Sequence, residues 1–128
     1  MLKHIKTLLR HSTLYISVAI TVSITTLSLV KTQEKLLTNI SNEDKFLHLF
    51  AYLTLTTSWL ISKEVKFKKI ADIVILICCF IFGIIIEVLQ VSITTYRSAS
   101  FLDVIANSLG IILGFILFKT FIRKKVDI

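Results

Sequence analysis

Residues 70–90 read IADIVILICCFIFGIIIEVLQ, and this run decides the fold. From Ile73 to Ile86 it contains no charged side chain. As a helix it would cover about 30 Å, the thickness of a bilayer's hydrocarbon core. Three more apolar runs flank it, at about Ser12–Val30, Phe46–Ser62 and Phe101–Ile122. Of the 128 residues, 55% are hydrophobic and none is proline. The mean hydropathy is +0.83, and a soluble domain of this size would be less apolar. Barrel strands would be half as long and would alternate in polarity, which these runs do not. The expected fold is all-α: a polytopic membrane protein with four transmembrane helices in an antiparallel bundle.

The first run follows Lys3, Lys6 and Arg10, as a secretory leader would. No small-x-small cleavage pattern follows Val30, so it reads as a retained span. Its eight Ser and Thr residues can bond back to helix carbonyls or across to a neighbouring helix. Orientation comes from the basic residues. Eleven of the fifteen fall before the first run, in the Ser62–Lys69 stretch or after Phe118. The positive-inside rule then places both termini and that middle loop in the cytoplasm. The net charge of +7 follows from this topology and from attraction to anionic lipid, the expected partner surface. No folded nucleic-acid-binding module accompanies the basic clusters, so nucleic acid is not an expected partner. Cys78 and Cys79 are adjacent and lack metal-ligand spacing, which suits packing. Trp59 and Tyr96 read as interface aromatics.

Polar groups at membrane depth cost on the order of 1–4 kcal/mol each, so those that persist carry the functional signal. Asp44, His48 and Tyr52 recur at i, i+4 and i+8 and share one helical face. Glu87 and Gln90 lie one turn apart at the outer end of the third run, and Arg97 follows in the outer loop. Asp103 and Asn107 open the fourth run, with Gly110 and Gly114 continuing the same seam as a small-xxx-small packing motif. Three helices thus bring polar groups to one end of the bundle, a pattern of a ligand-binding site. Bland roles compete: a helix cap for Asp44, wet interfacial tips for His48 and Tyr52, a structural ion pair between Arg97 and Glu87 or Asp103.

The run Asp44-Lys45-Phe46-Leu47-His48-Leu49-Phe50-Ala51-Tyr52 resembles the first motif of the VanZ-like family of small bacterial membrane proteins. Glu87-x2-Gln90, Arg97 and Asp103-x3-Asn107-x2-Gly110-x3-Gly114 resemble its second. The likeness spans about residues 44–118. Many relatives carry a proline between Gln90 and Arg97, and this chain has none. The family is named for a protein linked to resistance to the glycopeptide teicoplanin. The resemblance implies one domain over residues 1–128 in a bacterial inner membrane.

Two function classes stay open. One is a non-enzymatic envelope protein whose outer-leaflet polar site engages a lipid-linked intermediate, a glycopeptide-type ligand or a membrane-protein complex. The other is a small membrane enzyme acting on a lipid phosphate or ester, with Glu87 or Asp103 as general base, His48 as acid/base and Arg97 as phosphate clamp. The first is favoured, since no nucleophile is paired to a base; four spans are thin for a transporter. No cofactor is called for. A divalent ion on Asp44, Glu87 and Asp103 is conceivable, but nothing in the spacing demands it, and no metal is expected. The topology is open to single-cysteine labelling in a Cys78→Ser, Cys79→Ser background. An impermeant reagent on intact cells should modify cysteine at positions 33 and 95 and spare position 66; labelling at 66 would contradict it.

Overall fold

Backbone amides in hydrocarbon must be satisfied within their own segment, which leaves apolar runs of this length one choice, the helix. The structure, a computed structural model, describes residues 1–29, 41–93 and 101–126, and of residues 41–44 the backbone alone. Four long helices occupy them: α1 (Leu2–Leu29), α2 (Ser41–Lys66), α3 (Asp72–Ile93) and α4 (Phe101–Leu117). A wide π-helical turn, Phe118–Ile122, joins α4 to a last turn, α5 (Arg123–Val126). No strand occurs among the described residues. Three stretches are long and apolar enough to cross a membrane: α1, α3 and Phe101–Val126. Their outer faces expose Val22, Ile77, Ile81, Ile85 and Ile112, a surface suited to lipid.

Helix α2 is the exception in hydropathy because it occupies the middle. It packs against α1, α3 and α4, most extensively against α4. Tyr52, Leu55, Thr56, Leu60 and Ser62 are each at most 1% exposed. A helix covered by other helices needs no apolar coat, so α2 can carry hydroxyls and charge. Its seam with α4 is set by glycine. A Cβ at Gly110 would overlap the Leu49 carbonyl oxygen, and one at Gly114 would lie 2.8 Å from that of Leu53. The two backbones therefore touch, as the Gly110 and Gly114 spacing predicts. On the other flank, Ser17 and Ser62 share a buried hydrogen bond at 2.7 Å. Trp59, read from the sequence as an interface aromatic, is half-buried and donates its indole N–H to Thr21 Oγ1 at 2.9 Å.

The opposite end from Asp103 is held by charge. The sequence reading puts Lys63 and Lys66 in the middle loop; instead α2 runs through Lys66, and Lys63 and Glu64 are buried. Lys63 Nζ donates to Asp72 Oδ1 at 2.6 Å and Glu64 Oε2 at 3.1 Å. Arg123 Nη2 donates to Asp72 Oδ2 at 2.7 Å and lies 3.5 Å from Glu64 Oε2. Two cations and two anions make a neutral network, the form in which buried charge is tolerated. The π turn makes it possible: the Arg123 amide bonds to the Phe118 carbonyl, five residues back. This extra residue per turn lets buried Phe118 and Arg123 both face inward, the guanidinium carbon 5.4 Å from the Phe118 ring centroid.

Overpacking the α2–α4 seam should be costly, on the order of 1–3 kcal/mol. Gly110→Ala, which collides with backbone, should lower the melting temperature in detergent more than Gly83→Ala, whose nearest neighbour is the Tyr52 ring edge at 3.1 Å. Equal melting of the two variants would show that the seam is not this tight.

Candidate functional site

Three buried stripes meet at the end where α2 begins, α3 ends and α4 begins. On α2 the stripe is His48 and Tyr52; on α3 it is Cys79, Gly83, Ile86, Glu87 and Gln90; on α4 it includes Ala106, Asn107 and Gly110. Helical periodicity puts each set on one face, and the Leu49–Gly110 contact brings the α2 and α4 faces together. His48 Nδ1 lies 3.1 Å from Asn107 Oδ1, with both residues buried. One donor atom each from His48, Glu87 and Asp103 lies within 4.8 Å of the other two. Glu87 is 6% exposed, whereas Asp103, in the first turn of α4, is half-buried.

The expected residues divide as follows. His48, Glu87, Asp103 and Asn107 come together as one cluster. Tyr52 stands beside them: a Cβ at Gly83 would lie 3.1 Å from its ring edge and 3.4 Å from Asn107 Nδ2. Its hydroxyl is buried and has no hydrogen-bond partner among the described residues. Gln90 donates from Nε2 to the Ser28 carbonyl at 3.0 Å, which ties α3 to the end of α1. The Asp44 side chain and Arg97 lie outside the described residues, and with them the expected Arg97 ion pair; so does Tyr96. Gly83 was not legible as part of the site. Its signal is its place four residues before Glu87, on the face that must admit Tyr52 and Asn107.

The His48–Asn107 contact fixes chemistry as well as position. An amide oxygen only accepts, so Nδ1 carries the proton and donates; in the neutral imidazole Nε2 then keeps its lone pair. The cluster therefore combines an acceptor nitrogen with two carboxylates, a set able to bind a cation, hold a hydroxyl or move a proton. Nitrogen-15 spectra of the labelled protein in bilayers should show the Nδ1–H tautomer for His48, and an Nε2–H tautomer would contradict the contact.

No curated protein and no solved structure matches this chain. The profile of the VanZ/LLP1 family does, over residues 4–123. That range takes in all three stripes and the charged network at the other end. By that match the chain belongs to the VanZ/LLP1 family.

Proposed function

We propose that this protein is a bacterial inner-membrane protein of four spans, one domain over residues 1–128, with both termini cytoplasmic and its polar cluster at the outer leaflet. Its function is to bind the polar headgroup of a lipid-linked or glycopeptide-type envelope ligand, without catalysing its conversion. The observation that carries this reading is the convergence of His48, Glu87, Asp103 and Asn107, from three helices, at one depth. Packing alone needs no such set, because each polar group is costly to bury. Two features suit a lipid ligand. The Tyr52 hydroxyl is a buried donor without a protein acceptor among the described residues. Next to it, the Tyr52 and Phe82 rings stand 6.2 Å apart, and Phe82, Leu55, Trp59, Ile75 and Cys79 line a cavity of about 320 Å³. This apolar space begins one to two turns from His48 along α2 and from Glu87 along α3, and a molecule with a chain and a headgroup would span the two. The link to glycopeptide resistance belongs to this proposal, as the physiological readout.

Binding is testable on the purified protein in nanodiscs. Native mass spectrometry should find a polyprenyl phosphate retained by the wild type and lost from Glu87→Gln and Asn107→Leu, both accumulating normally in membranes. Asn107→Leu is the sharper of the two, since it removes a polar group from an apolar setting and should leave insertion intact. Normal retention by both variants would reduce the cluster to a packing device. The enzyme reading rests on the imidazole and two carboxylates within 4.8 Å, an acid–base set. It requires release of phosphate from the same lipid by the wild type and not by Glu87→Gln.

A further inference from the structure

We infer that His48, Glu87 and Asp103 form a binding site for one divalent transition cation of the zinc or manganese class. This deepens the headgroup reading and relies on it for what the ion would do there.

Three observations lead to it. The first is the donor set. One imidazole and two carboxylates, from three different helices, hold their donor atoms within 4.8 Å of one another. Around an ion with bonds of about 2.0–2.2 Å, donors stand roughly 3–3.5 Å apart, so small side-chain rotations close the site. Mixed nitrogen and oxygen donors suit zinc, manganese or iron, and the absence of a thiolate from the set makes a soft ion a poor fit.

The second is charge. Two carboxylates this close repel one another, and a cation held between them offsets that repulsion. A divalent ion balances both and leaves the site neutral, the condition for stable burial. A single guanidinium from Arg97 would balance only one. The third is the hydrogen bond from His48 Nδ1 to Asn107 Oδ1 at 3.1 Å. Metal-binding histidines commonly donate their second ring nitrogen to a carbonyl or carboxylate, which fixes the tautomer and turns the free lone pair toward the metal. Asn107 is 3% exposed and makes this bond within the bundle. The sequence reading gives Asp44, Glu87 and Asp103 as a donor set; the Asp44 side chain lies outside the described residues, and among those described His48 stands with the two carboxylates.

The three protein donors found among the described residues would leave at least one coordination position open, as in metal sites that bind a further ligand. An ion here would give the site affinity for a phosphate or carboxylate group, and the Tyr52 hydroxyl would supply a hydrogen bond beside it. The ion then accounts for how a site with two carboxylates can hold an anionic headgroup.

The test uses the full chain, purified in detergent through a tag without histidine, then equilibrated with Zn²⁺ or Mn²⁺ alone and desalted. Wild-type protein should carry about one ion per chain and melt at a higher temperature with metal than after chelation. Glu87→Gln and Asp103→Asn should lose the ion. Asn107→Leu should weaken binding by about 10–100-fold, the usual effect of removing the partner of a metal-bound histidine. Arg97→Gln should load like the wild type. If the carboxylate variants do not fold, the wild-type stoichiometry and its chelator-sensitive melting decide alone. A wild type without stoichiometric metal and without that shift overturns the inference, as does full loading of the carboxylate variants. Loading only after Arg97→Gln overturns it too, because the guanidinium is then the native counter-charge. Metal binding without retention of polyprenyl phosphate would uphold this site and sink the headgroup reading; retention without metal would do the reverse.

Discussion

The structure depends on one close approach, α2 against α4, backbone to backbone. Neither Gly110 nor Gly114 has room for a side chain, since the Leu49 and Leu53 carbonyl oxygens fill the space. In lipid the hydrophobic effect does not drive helices together, so such contacts gain stability from dispersion and from weak polar bonds at short range. The Thr57 hydroxyl adds one, donating to the Gly114 carbonyl at 3.4 Å. The register of this seam decides what stands opposite what. With Leu49 on Gly110, His48 falls opposite Asn107, one turn nearer the start of α4.

Placing α2 at the centre resolves an apparent contradiction in the chain. Its most polar long helix is also its most buried one. Shielded by three apolar neighbours, α2 can use His48 and Tyr52 at one end and Ser62, Lys63 and Glu64 at the other. The two ends solve the burial of polar groups differently. At the far end the charges compensate within the protein, through Lys63, Asp72, Glu64 and Arg123. That network is closed by three helical segments and reads as structural. At the near end a histidine and two carboxylates bring one donor atom each within 4.8 Å of one another.

Much of this was legible beforehand, for definite physical reasons. Helix number and position follow from apolar runs whose lengths match a bilayer, and Gly110 and Gly114 follow from their spacing on the Asn107 face. The cluster of His48, Glu87, Asp103 and Asn107 follows from cost: polar groups in apolar runs at helical spacing have few reasons to be there. What escaped was whatever depends on tertiary neighbours. Lys63 and Arg123 read as juxtamembrane charges, because nothing local announces that Asp72 and Glu64 will bury them. The π turn that aims Arg123 has no pattern of its own. Gly83 carries no local mark in its apolar run, since its purpose, room for Tyr52 and Asn107, lies on two other helices. Gln90 belongs by sequence with the cluster, yet it also ties α3 to Ser28 of α1.

The account turns on the bond between His48 and Asn107, which both reports the α2–α4 register and orients the imidazole. A double-mutant cycle on His48→Leu and Asn107→Leu, read as stability in detergent, measures it directly. Residues in buried contact couple by about 0.5–3 kcal/mol, and the account predicts a coupling in that range, the double variant being less damaged than the two single losses combined. Strict additivity would contradict it, since the two side chains would then not meet in the folded protein.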